Sequence, residues 1–144
     1  MPFVINQNRY SIFDRTVENN GLKETAAKLH KGIITFSPLA QGLLTNRYLD
    51  GIPADSRVHT DGRFLKEKDI TPEKIAKIRA LNEIAAARGQ TLAEMALAWL
   101  LSHEEITTVL IGASKTQQIL DNIKAVQNMK FTTEELAEID RISK

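Results

Sequence analysis

In VLIGASKTQQILDN, Val109 to Asn122, a run of β-type apolar residues stops at Gly112 and a helical pattern opens behind Ala113 and Ser114. Where a strand feeds a helix through such a turn, the free N–H groups and the positive end of the helix dipole converge, which makes an anion site. Gly112 and Ala113 keep the approach clear of side chains. Ser114 with Gln117 three residues on also matches a capping box, so the segment alone reads equally well as a capped helix and as a phosphate cradle. Gln118, Asp121 and Asn122 stand at i, i+3 and i+4 and share one helix face, with Ile119, Ile123 and Val126 on roughly the other. Three hydrogen-bonding side chains beside an anion site suit a ribose phosphate and a base edge. The stretch is neither a Walker loop nor the G-x-G-x-x-G fingerprint, so a Rossmann site is not indicated.

A second group lies in TFSPLAQGLLTNRYLDGIPADSR. Phe36 at a strand end can stack on a flat ring or pack in a core, and Arg47 and Arg57 can meet phosphates through charge-assisted bonds or lie on a solvated loop. Gln7, ending the first strand, offers an amide donor and acceptor or is simply a turn residue. His30, His59 and His103 have no partner at useful spacing and read as surface histidines. No H-x-x-x-H pair, paired carboxylate or nucleophile elbow is present, so metal, glycosidase and hydrolase chemistry have nothing to rest on.

The elements that must position these groups follow from period and punctuation. FVINQ reads as a strand that begins almost at the first residue, and GLKETAAKLHK as a short amphipathic helix with Leu22, Ala26 and Leu29 in register. GIITF is a second buried strand, stopped by Ser37-Pro38 because proline lacks the ladder N–H. Residues 41–70 show no sustained period and read as a long functional loop. Thr71-Pro72-Glu73 starts a helix whose apolar stripe is Ile75, Ile78, Leu81 and Ile84, and Gly89 stops it. Thr91 to Glu94 is a capping box opening MALAWLL, apolar on nearly every face and therefore expected to be buried on two sides. A strand over 107–111, a helix over 116–126 and a terminal helix from about Thr132, with Leu136, Ile139 and Ile142 in register, complete the order.

Strands alternating with helices predict a parallel α/β sheet, either a barrel or an open doubly wound sheet. Three parallel strands leave two unpaired edges and faces that need cover, so residues 1–144 read as one incomplete domain. A net charge of +1 with 26% charged residues argues against nucleic acid or a membrane surface as partner. The chain has no Cys, no stretch long enough to span a bilayer and no leader pattern, which predicts a cytoplasmic protein held by packing alone.

Taken together, NQNRYS, ITFSPLAQGLLTNRY, GIPADSR, QTLAEMALAWLL and VLIGASKTQQILDNI resemble, in order and spacing, the C-terminal part of the aldo-keto reductase family, over residues 3–142. The similarity is to the branch of glyceraldehyde 3-phosphate reductase-like enzymes and potassium-channel beta subunits. It implies the C-terminal portion of a (β/α)8 barrel, about three parallel βα units plus a terminal helix, binding extended NADP(H) and serving a small-molecule carbonyl substrate. By the same resemblance Gln7 contacts the nicotinamide amide and Phe36 stacks on its ring. Ser37, Pro38, Leu39, Ala40 and Gln41 run along the pyrophosphate, clamped by Arg47 and Arg57. Gly112, Ser114 and Gln118 hold the adenosine ribose and its 2'-phosphate, and Asp121 and Asn122 the adenine. Asp55 stands where the channel-subunit branch carries Tyr, which implies one lost pyrophosphate contact. The family's catalytic Asp, Tyr, Lys and His lie in the first half of the barrel, so no catalytic residue is expected here. The alternative is a non-catalytic nucleotide-binding module that self-associates through its open strand edges.

Overall fold

The structure is a computed structural model that describes residues 3–60, 62–63 and 65–144, the side chains of residues 57 and 60 excepted. Its first strand, β1 (Ile5–Arg9), starts two residues later than FVINQ suggested and runs on through Asn8 and Arg9. The reason is register: Ile5 to Arg9 pair in parallel with Gly32 to Phe36, the whole of β2 (Gly32–Phe36). Between them the chain makes a one-turn helix, α1 (Thr16–Asn19), in what read as a plain polar connection, and then α2 (Leu22–Lys28). The third strand, β3 (Ile106–Val109), pairs with β2, again in parallel, giving the spatial order β1-β2-β3. Consecutive neighbours without a reversal are what a barrel wall requires, whereas a doubly wound sheet changes direction at a switch point.

The ladder between β2 and β3 shifts register at Ile33 and Ile34, leaving Thr107 outside the paired positions. That shift needs Gly32: a Cβ there would stand 2.5 Å from Thr107 Oγ1 and 3.0 Å from Ile5 Cδ1. Side chains alternate between faces. Ile33, Thr35 and Ile106 are buried on one of them, while Ile5, Gln7 and Arg9 of β1 lie in register with Gly32, Ile34 and Phe36 on the other, more open face.

Two long helices form the cover. In α4 (Pro72–Ala87) Thr71 Oγ1 accepts the Lys74 N–H at 3.1 Å, as the cap signal predicts, and Ile78, Leu81 and Ala85 are buried. In α5 (Leu92–Leu101) the capping box is reciprocal, with Glu94 N–H donating to Thr91 Oγ1 at 3.2 Å and Thr91 N–H donating to Glu94 at 3.1 Å. Leu92 and the run Glu94 to Leu100 are buried, as a helix apolar on nearly every face demands. Residues 41–70 are less irregular than their sequence: short 3-10 turns and a one-turn helix, α3 (Arg57–Thr60), carry buried Leu43, Leu44 and Tyr48 into the core.

After β3 come α6 (Thr116–Ile123), a 3-10 continuation over Lys124–Gln127, and α7 (Thr133–Ser143). Ile139 and Ile142 of α7 are buried, but Leu136 stays 36% exposed. On α6, Ile119 and Ile123 are left 43% and 55% exposed. No helix of the described residues is long and apolar enough to cross a membrane.

Candidate functional site

Parallel strands bring their C-terminal ends to one edge of the sheet, and the loops leaving that edge carry most of the residues singled out above. The end of β2 and the end of β3 are adjacent there, since Leu110 N–H donates to the Thr35 carbonyl at 2.8 Å. Gln7 is exposed on the open sheet face, and Phe36 on the same face is half-buried. Arg9, which the sequence reading passed over, stands two residues after Gln7 with its guanidinium 5.8 Å from the centre of the Phe36 ring. The alternation of a strand carried that signal: i and i+2 share a face.

The loop after β2 is conformationally unusual. Ser37, Ala40 and Gln41 all adopt positive φ, at 54°, 48° and 61°, followed by Gly42 at 94°. Side chains rarely accept this region, and each such residue costs about 1–3 kcal/mol, which surrounding packing must supply. Here Pro38 is buried, Leu39 packs against the cluster of Leu97, Ala98 and Ala125, and Gln41 Nε2 donates to Ser37 Oγ at 3.1 Å. The turn is closed from within, Ala40 N–H donating to the Ser37 carbonyl at 3.0 Å and Gly42 N–H to the Leu39 carbonyl at 2.9 Å.

At the start of α6 the structure corrects the capping frame. Lys115, not Ser114, is the N-cap, and the acceptor is Gln118 rather than Gln117. Gln118 Oε1 accepts the Ser114 N–H at 2.8 Å, the Lys115 N–H at 3.2 Å and the Ser114 hydroxyl at 3.3 Å. Three donors converge on one oxygen, and the cluster is exposed from Gly112 onward. A nest that collects an amide oxygen can collect a phosphate oxygen, which carries more charge for the same donors. Gln117 instead donates to Asp121 at 3.0 Å, and Lys124 pairs with the same Asp121 oxygen at 2.8 Å. The Lys124 and Gln117 bonds hold the Asp121 carboxyl below its ordinary range. Asn122 is half-buried one residue further on.

The long loop contributes Arg47. Its backbone N–H is capped by Thr45 Oγ1 at 3.2 Å, and its guanidinium reaches Asp55. The backbone of Arg57 opens α3, and its side chain lies outside the described residues.

One histidine departs from expectation. His30 and His59 are exposed, but His103 is stacked on Tyr10, with ring centres 5.7 Å apart, and lies edge-on to Trp99 at 4.5 Å. Its Nε2 is buried without a hydrogen-bond partner. Burial, then the nearby Lys23 charge, push its pKa down to about 4, with Glu18 and Glu105 opposing and Arg15 adding a little. The ring is therefore neutral in the fold and would gain its proton first in the unfolded chain. The stability tied to that difference is present above about pH 6.5 and is lost as pH falls toward 4, on the order of 2 kcal/mol after allowance for solvent screening. Urea unfolding at pH 7 and pH 4.5 should show the loss, and His103→Phe should remove much of the pH dependence. Among the described residues no His, Cys, Asp or Glu group could hold a metal ion.

Comparison with known proteins places this geometry. The model of the aldo/keto reductase family matches residues 1–144. The chain is 47% identical over 144 residues to L-glyceraldehyde 3-phosphate reductase of Escherichia coli O157:H7 and 46% identical to that of Escherichia coli strain K12. In both cases 98% of the chain is matched and it spans 42% of the relative's length. Among solved structures, the holo form of an aldo-keto reductase from Bacillus halodurans superposes with a TM-score of 0.73 at 27% identity, over 99% of this chain and 43% of that one. A thermostable aldo-keto reductase solved with the inhibitor epalrestat gives a TM-score of 0.69 at 27% identity, over 98% of this chain and 40% of that one.

Proposed function

Because the chain belongs to the aldo/keto reductase family, we propose that its three βα units form the NADP(H)-gripping portion of a carbonyl reductase. The observation that carries this reading is the donor nest of Ser114 and Lys115, which follows β3 on the edge of the parallel sheet where the Ser37–Gln41 loop leaves β2. NADPH, when bound, supplies a hydride to the carbonyl carbon of a small aldehyde or ketone. The relatives are named for L-glyceraldehyde 3-phosphate, which makes a small phosphorylated aldehyde the first substrate to try.

The chain's own residues divide the cofactor between them. Phe36 offers a ring face and Gln7 an amide to the nicotinamide end, on the same side of the sheet. The backbone of Ser37, Pro38, Leu39, Ala40 and Gln41 lines the diphosphate, with Arg47 and Arg57 neutralising its charge. Gly112 leaves room, Ser114 and Gln118 take the 2'-phosphate, and Asp121 and Asn122 face the adenine; Asp121 must share its carboxylate with Lys124. The proton that completes carbonyl reduction comes from the family's Tyr, on strands outside this portion of the barrel.

The test is a fluorescence titration of NADPH into the purified 144-residue chain, with an assay for NADPH oxidation by glyceraldehyde 3-phosphate. Saturable binding without turnover is expected. Ser114→Ala should weaken binding by up to roughly tenfold, the loss of one charge-assisted hydrogen bond. No saturable binding, or carbonyl reduction by the pure chain, would overturn the reading.

A second reading rests on the sheet itself. β1 and β3 each pair on one side only, and apolar residues flank them: Phe3 and Val4 beside β1, Leu110 and Ile111 after β3, all exposed. Such edges favour pairing with another chain. We propose self-association as the alternative role of these edges, and a compact monomer in light scattering would speak against it.

A further inference from the structure

The loop between Thr45 and Ser56 is stapled by two consecutive pairs, each eight residues apart. Tyr48 and Ser56 are buried, and their hydroxyls hydrogen-bond at 2.9 Å. One step back, Arg47 Nη2 donates to the Asp55 carbonyl at 2.8 Å and meets Asp55 Oδ1 at 2.8 Å. Arg79 Nη2 donates to the Leu49 carbonyl at 2.9 Å, fixing the same loop to α4. The buried rung sets the backbone on both sides, so little further ordering is needed for the exposed rung to close.

Asp55 thus takes one Nη2 hydrogen with its carbonyl and holds its carboxylate against the same nitrogen. A guanidinium has two bidentate forks, Nη1 with Nη2 and Nε with Nη2, and each uses the nitrogen that Asp55 occupies. A diphosphate arriving at Arg47 in either fork must share Nη2 with Asp55 and meets its carboxylate there. Asp55 is itself 84% exposed on its side chain and adds a negative charge where an anion must bind.

We propose that Asp55 sets cofactor affinity by latching Arg47 away from the diphosphate, an autoinhibitory contact within the binding loop; this rests on the NADP(H) reading above. Asp55→Asn keeps the size of the side chain and removes its charge. It is expected to tighten NADPH binding about fivefold, the upper range for one exposed ion pair. Arg47→Ala should weaken binding, and Asp55→Asn should have no effect in that background.

The experiment is a fluorescence titration of NADPH at fixed ionic strength into the wild-type chain, Asp55→Asn, Arg47→Ala, the double variant and Ser114→Ala, with circular dichroism confirming each fold. If Arg47→Ala and Ser114→Ala weaken binding but Asp55→Asn leaves it unchanged or weaker, the latch is wrong and the cofactor reading stands. Equal tightening in the Arg47→Ala background also overturns the latch, because the effect is then one of local charge alone. If Arg47→Ala and Ser114→Ala leave the titration unaltered, or no variant binds, the cofactor reading fails and takes the latch with it.

Discussion

Arg88→Ala is expected to destabilise the chain by about 3–5 kcal/mol, enough to unfold a marginally stable domain at room temperature. The Arg88 side chain is only 3% exposed and lies at the end of α4. Its guanidinium donates to the Lys130 and Asn128 carbonyls at 3.0 Å each, to Gln90 Oε1 at 2.9 Å and to Glu135 at 2.6 Å, and it covers the Phe131 ring at 3.7 Å. Removing it strands the Lys130 carbonyl, leaves the Asn128 carbonyl to the Gln90 Nε2 donor at 3.1 Å and leaves Glu135 without its cation at the first turn of α7. Most of the loss comes from those abandoned partners rather than from the pair's own attraction. Arg88→Lys supplies charge but only one donor centre, so it should recover less than half. Urea unfolding followed by circular dichroism measures both; wild-type stability in Arg88→Ala would show that Ile139, Ile142 and the Arg15 contacts suffice to hold α7.

Trp99→Ala should cost a similar amount, about 3–5 kcal/mol, for a different reason. Trp99 is 1% exposed, meets Tyr10 edge-on at 5.3 Å, and carries the Arg15 guanidinium 4.3 Å above its ring. Arg15 in turn pairs with Asp140 at 2.9 Å and bonds Ser143 Oγ at 3.0 Å. Truncation therefore opens a cavity beside Tyr10 and His103 and removes the platform that orients a cation toward the end of α7. Trp99→Phe keeps part of the volume and the ring face and should cost roughly half as much. Thermal unfolding distinguishes the two: equal melting temperatures for Trp99→Ala and Trp99→Phe would show that the site collapses freely around either residue.

Neighbouring contacts also explain what was and was not legible in the residues. Thr71, Thr91 and Thr132 each cap a helix with the third residue on, because a cap is settled within one turn of chain. Gly89 ends α4 at a φ of 70° for an equally local reason. His103 reads as a surface residue in sequence, yet the segments at Tyr10 and Trp99 close over it. The 41–70 stretch shows no period because its turns are held by side-chain bonds across the loop, Tyr48 to Ser56, and from α4, Arg79 to the Leu49 carbonyl.

The candidate site divides along the same line. Its residue types and strand-end positions were readable, since parallel strands alternating with helices must deliver their following loops to one edge. The capping frame at Ser114 was misplaced by one residue: Gln118 reaches back to the turn while Gln117 bonds Asp121, a choice between adjacent glutamines that spacing leaves open. The outward side of α6, with Ile119 and Ile123 uncovered, is amphipathic in sequence but has no partner among the described residues.

The sequence by itself determined the helix starts at Thr71, Thr91 and Thr132, the stop at Gly89, the parallel α/β order, and the family through five ordered motifs, all of which depend on neighbours a few residues away or on the pattern of types along the chain. Tertiary structure alone decided that Asp55 holds Arg47, that His103 is neutral in an aromatic nest, and that Arg88 binds α7. Those outcomes depend on which distant groups share a space after folding, and the low dielectric and fixed geometry of that space set their energies.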